Sequence, residues 1–194
     1  MKQLFIVDSQ KRTMEIKEND KTIKTIEDVW IGKNGTELPE KIVEFDQKTP
    51  LGLYNLGIAF GTEELNINYP YIKINENSYW VDDTNSKYYN YFVQIGSFIE
   101  TYNYPYIINR QAKEFVSAEH LIEFPKQYKY AIFIEYNCEG QIKDNRGNNK
   151  GSAIFLHCHG DKGYTGGCIA IKKEDMQWIL GYIDRNKNPQ ILIK

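Results

Sequence analysis

Residues 151–171 read GSAIFLHCHGDKGYTGGCIAI, and they decide how the rest of the chain is read. An apolar run, Ala153 to Leu156, delivers His157. A glycine-rich loop follows, and Cys168 stands directly behind Gly166 and Gly167. A histidine on a strand, a bend and a cysteine behind two glycines are the parts of a thiol nucleophile site. A thiol near its ordinary pKa of about 8.5 attacks poorly at neutral pH, and a nearby imidazole takes its proton. Acyl transfer also needs backbone N–H groups aimed at the oxyanion. Gly166-Gly167-Cys168 offers three consecutive amides with little side chain in the way, and glycine admits the positive φ of a sharp turn. On a strand, Phe155, His157 and His159 share one face while Leu156 and Cys158 face the other way. His157 and His159 are therefore the candidate bases, and Cys158 is a core residue.

Two plainer readings compete. Free cysteine is commonly buried and inert, but a Gly-Gly shoulder is a poor place to pack a core side chain. A zinc site built from His157, His159 and Cys168, or with His120, lacks the carboxylate or CxxC pair that would complete it at usual spacing. The nucleophile reading is the stronger.

The motif resembles that of the L,D-transpeptidase catalytic domain (YkuD-type) family, in which a strand histidine is followed by a loop and then [S/T]-x-G-C. Thr165-Gly166-Gly167-Cys168 matches that element, and Ser152-Ala153-Ile154-Phe155 before His157 is similar to the branch with an S-A-I-F-x-H approach. The resemblance implies His157, not His159, as base. Thr49-Pro50-Leu51-Gly52 resembles the family's T-P-x-G element. Trp80-Val81-Asp82-Asp83, with Ser86, Tyr89 and Asn90, resembles a segment that lies beside the catalytic cleft in the same branch. By that resemblance Trp80 and Tyr89 are candidate substrate contacts, joined by Asn137, His159, Tyr164 and Thr165.

Composition bounds the alternatives. The net charge of −2 is spread over interspersed acids and bases, which points away from nucleic acid or an anionic membrane as main partner. No apolar run approaches the ~20 residues of a membrane span. Three cysteines exclude complete internal pairing, so no disulfide framework is implied. Leu4 to Val7, ahead of Asp8, is too short for a signal-peptide core of roughly 7–15 residues. The expected location is the cell envelope if an export signal was removed, and the cytoplasm if Met1 is the native start.

Along the chain, residues 3–8, 14–17, 21–31 and 130–137 read as strands by alternation or by their β-branched and aromatic content. Ser117 resembles an N-cap for a short helix over 118–124. Residues 173–184 place Met176, Ile179, Leu180 and Ile183 at helical spacing, with Glu174 and Asp175 in the first turn. Ile191 to Ile193 closes the chain as a strand. The expected fold is mainly β (a β-rich α+β domain over 1–194): a mixed sheet or sandwich with one or two packed helices.

The resemblance implies an enzyme acting on peptidoglycan stem tetrapeptides. Cys168 attacks the carbonyl between the third residue, a diamino acid, and the terminal D-alanine. The thioacyl group then passes to an amine (transpeptidation) or to water (L,D-carboxypeptidation). His157 serves as base, and Gly166, Gly167 and Cys168 form the oxyanion hole. No cofactor or metal is required, and the expected state is a monomer. A non-catalytic wall-binding domain with the same cleft is the alternative from another class.

Overall fold

The computed structural model describes residues 2–96, 103–144 and 146–194. Its strands, in chain order, are β1 (Gln3–Asp8), β2 (Thr13–Glu18), β3 (Lys21–Ile26), β4 (Thr36–Glu37), β5 (Thr49–Pro50) and β6 (Gly52–Gly61). There follow β7 (Tyr71–Lys73), β8 (Ser78–Val81), β9 (Phe92–Ile95), β10 (Ile107–Arg110) and β11 (Ala118–His120). The last four are β12 (Ala131–Ile134), β13 (Phe155–Cys158), β14 (Ile169–Ile171) and β15 (Gln190–Ile193), with helix α1 (Lys173–Tyr182) before β15. The architecture is mainly β with mixed sheets, as the sequence predicts.

The large sheet runs β14-β13-β12-β6-β15-β1-β2-β3, with β7 also on β6. Parallel pairs (β1 with β15, β13 with β14, β6 with β7) are mixed with antiparallel ones. A second sheet, β10-β9-β8-β11, packs on one face. Strand alternation explains the layering. Leu156 and Cys158 of β13 and Ile132 and Ile134 of β12 join Met176, Ile179 and Leu180 of α1 in one core. Phe155, Ala131 and Phe133, from the same two strands, join Trp80 and Phe92 of the second sheet in the other. β13 is therefore buried on both faces.

Three segments differ from the sequence reading, each for a local reason. Residues 118–124 form β11 followed by a 3-10 turn (Leu121–Glu123) instead of a helix. Ser117 gives its hydroxyl to the Asp82 carboxylate rather than capping a turn, and the backbone beyond it pairs with β8. β3 stops at Ile26 because Asp28 takes a left-handed φ of 59°. α1 stops at Tyr182, and Ile183 keeps its apolar contact from an extended conformation.

Asn90 ties the layers together. Its Oδ1 accepts from Trp80 Nε1 at 2.8 Å and from the Ala153 amide at 3.0 Å. Its Nδ2 donates to the carbonyls of Tyr136 at 3.0 Å and Asn137 at 2.7 Å. Asn90 itself adopts φ 62°, a left-handed turn that asparagine tolerates well. Replacing it by alanine strands a buried indole N–H, a buried amide and two carbonyls. Asn90→Ala should therefore lower unfolding free energy by about 4 kcal/mol, read from urea denaturation. A loss below about 1 kcal/mol would contradict this account.

Candidate active site

β13 and β14 run parallel in register, with His157 opposite Ala170 and Leu156 opposite Ile169. Cys168 enters β14 two residues before Ala170, so its side chain falls on the His157 face. Both line one cleft of about 460 Å³, with Gly166, Thr165, Tyr164, Glu119 and Tyr128.

The histidine ring is oriented by backbone. His157 Nδ1 lies 2.7 Å from the Cys158 carbonyl oxygen. A carbonyl only accepts, so Nδ1 carries the proton and Nε2 is left as a bare acceptor. The Tyr128 ring stands edge-on to the imidazole, centroids 5.6 Å apart. Burial disfavours the imidazolium and pushes the His157 pKa down to about 4.

Cys168 is 8% exposed. Its thiol donates to the Ala153 carbonyl at 3.2 Å, and its sulfur accepts from the Phe155 amide at 3.3 Å. Burial, and next the charge of Glu119, push the thiol pKa up. Ala153 holds a left-handed φ of 53°, which Asn90 fixes through its amide. The carbonyl that holds the resting thiol proton is thus set by the inter-sheet hub.

The cysteine loop is braced from behind. Thr165 Oγ1 donates to the Cys168 carbonyl at 2.6 Å and accepts the Gly167 amide at 3.1 Å. Gly167 has φ 141°, and a Cβ there would stand 2.9 Å from the Lys48 carbonyl oxygen. That requirement explains its glycine. Lys48 leads into Thr49, whose buried Oγ1 accepts the Gly32 amide at 2.8 Å. Gly32 and Lys33 in turn pair with Thr165. The T-P-x-G element therefore acts as a brace behind the loop. The outer edge of β14 is closed as well, because the N–H and carbonyl of Ala170 both bond to Trp30.

Several predicted contacts fall elsewhere. Trp80 is fully buried between the sheets, against Phe60, Phe133 and Phe155, so it cannot touch a substrate. Tyr89 is buried behind the cleft wall, and its hydroxyl donates to Glu44, which lines it. Asn137 is a buried turn former with φ 49°, bonded to the Gly151 carbonyl and the Ile142 amide. His159 lies past the end of β13 and stacks flat on Trp30 at 3.8 Å. Its Nε2 lies 2.9 Å from the Asp28 carbonyl oxygen. The Thr165 hydroxyl is consumed by its own loop, and the Gly167 amide is turned into that hydroxyl instead of the cleft. Tyr164 does line the cleft, half-exposed, with Lys33 over its ring at 5.5 Å. His120 is held between Glu123 and the Glu76 carbonyl and does not line the cleft.

The cleft also holds residues that sequence reasoning missed. Glu119 projects from β11 opposite Trp80 and accepts the Tyr128 hydroxyl. Burial pushes its carboxyl up to about 7, against the opposing effect of that hydrogen bond. Tyr128 alternates with Tyr130 across polar Gln127 and Lys129, a faint signal that one of the two faces inward. Glu119 carried no such signal.

Comparison with known proteins bears on this arrangement. A search of curated proteins returns no match. Among solved structures, Bd1075 of Bdellovibrio bacteriovorus aligns with a TM-score of 0.50 and 18% identity, over 100% of this chain and 48% of that one. The helical cell shape determining protein Pgp2 of Campylobacter jejuni aligns with a TM-score of 0.53 and 15% identity, over 99% and 47%. The chain spans about half the length of these solved relatives, and at such identity the likeness concerns the fold. The model of the L,D-transpeptidase catalytic domain matches residues 2–191, from β1 into β15 and through the whole cysteine motif. The chain accordingly belongs to the YkuD family of L,D-transpeptidase catalytic domains.

Proposed function

We propose that the protein is a cysteine acyltransferase of the bacterial cell envelope, acting on peptidoglycan stem tetrapeptides with Cys168 as nucleophile. The observation that carries this reading is a buried thiol sharing a cleft with a histidine whose Nε2 is bare. Family membership supplies the substrate class.

Burial keeps both partners neutral at rest, so the nucleophile forms as it attacks. As Sγ bonds to the carbonyl carbon of the third residue, its proton leaves the Ala153 carbonyl and passes to His157 Nε2. The oxyanion is met by the amides of Gly166 and Cys168, since the Gly167 amide is engaged by Thr165. The Phe155 amide at the sulfur favours developing thiolate charge. Collapse breaks the bond to the terminal D-alanine, whose nitrogen takes the proton from Nε2. An incoming amine then attacks the thioester, gives a proton to Nε2, and the departing sulfur recovers it.

The direct test is mass spectrometry of the protein with a disaccharide-tetrapeptide, with and without an amine acceptor. A crosslinked product dependent on Cys168 identifies a transpeptidase, and tripeptide alone identifies an L,D-carboxypeptidase. Neither product nor thioacyl adduct would leave a non-catalytic wall-binding domain. Cys168→Ala should abolish turnover, with unfolding free energy changed by under about 1.5 kcal/mol. His157→Ala should lower kcat by about 10²–10⁴-fold. His159→Ala should cost less than about tenfold, because that ring serves the Trp30 stack; a larger loss than for His157→Ala would refute the assignment.

The pH profile follows from the same burial. The base works only as neutral imidazole, so activity is present above its folded pKa and is lost as pH falls through about 4. An acid limb of kcat/KM near 6.5 would show that His157 is not desolvated in the free enzyme.

A further inference from the structure

Glu119 is a carboxyl in the cleft that the acyl-transfer chemistry does not use. It lies on β11, cross-strand from the buried Trp80, so it faces the space between the sheets where they open at Cys168. Among the described residues its hydrogen-bond donor is the hydroxyl of Tyr128, whose ring rests against both Phe155 and His157. The charges that weigh on it come from Asp82 at the end of β8 and Glu44 on the 42–48 loop, both of its own sign. Both are engaged elsewhere: Asp82 by Ser117, Glu44 by Tyr89 and Ser152. Cys168 and His157 line the same cleft, and the charge of Glu119 opposes ionisation of that thiol.

A carboxylate beside a nucleophilic thiol hinders the first chemical step unless its charge is cancelled. We infer that Glu119 is a positioning residue that keeps the Cys168 thiol protonated until an ammonium group on the substrate enters beside it. This rests on the stem-peptide reading above, in which Cys168 attacks the carbonyl of a diamino residue. The side-chain ammonium of that same residue lies a few bonds from the reacting carbon, within reach of the cleft wall. Pairing it with Glu119 removes the charge that opposes the thiolate and fixes the residue by its amine. The device selects for a cationic third residue and spares the empty enzyme from adventitious acylation or alkylation.

The experiment has two arms on the intact protein. In the first, Cys168 is alkylated with iodoacetamide across pH and resolved from Cys138 and Cys158 by peptide mass spectrometry. Glu119→Gln should move the midpoint to lower pH and speed alkylation at pH 8 by about tenfold, while Glu119→Asp retains the wild-type profile. An unshifted profile in Glu119→Gln overturns the inference. The second arm compares tetrapeptides whose third residue carries a free or an acetylated side-chain amine. Acetylation should cost the wild type at least about tenfold in kcat/KM and Glu119→Gln less than about threefold. Equal losses in both would overturn the role of the ammonium. A shifted alkylation profile with no turnover of either peptide by the wild type would fault the substrate reading instead, and support the control of the thiol by Glu119.

Discussion

One buried carboxamide governs the cleft. Asn90 has two acceptor sites and two N–H donors, and all four are met by groups from three separate parts of the chain. Because Trp80 Nε1 and the Ala153 amide can only donate, and the Tyr136 and Asn137 carbonyls only accept, the amide has a single orientation. Its consequence reaches the chemistry in two steps. Asn90 holds Ala153 in a left-handed conformation, and Ala153 directs its carbonyl at the thiol of Cys168. A fully satisfied polar group in a core is strong because every alternative leaves something unpaired.

His157 and Cys168 are both buried at that cleft, and their burial sets its electrostatics. His157 and Cys168 are moved in opposite directions by the same cause, the imidazole down and the thiol up, so a resting ion pair is disfavoured. Such a pair trades standing nucleophilicity for a thiol that is inert until the proton has somewhere to go. Thr165, Lys48 and Trp30 brace the backbone around the cysteine: Thr165 bonds to the Cys168 carbonyl, Lys48 stands close behind Gly167, and Trp30 pairs with Ala170.

Much of this was legible from residues. The core placement of Cys158, the buried strand β12 and the helix over Met176, Ile179 and Leu180 follow from local period and residue type, and the motif places His157 and Cys168 on one cleft. What escaped were facts of three-dimensional closure. Tryptophan and tyrosine look like substrate contacts in a linear motif, but Trp80 is the largest side chain in the inter-sheet core and Tyr89 is enclosed behind Glu44. Ser117 and Glu119 look like a helix start, because cap chemistry is local and the strand pairing with β8 that overrides it is not. The direction of the Gly167 amide depends on one φ angle and one neighbouring hydroxyl, neither of which a sequence displays.

The Trp30 segment that closes β14 has a bearing on recognition. Many peptide-binding clefts take their ligand as an added strand, using main-chain hydrogen bonds for affinity. Here the ladder positions of Ala170 are already filled by the chain's own backbone, so a ligand cannot extend the sheet at that point. A ligand lying along that edge has to use groups other than the Ala170 ladder. A ladder demands a run of residues of one chirality, because each must alternate its side chain across the pleat. An edge closed in this way imposes no such demand on a ligand lying along it.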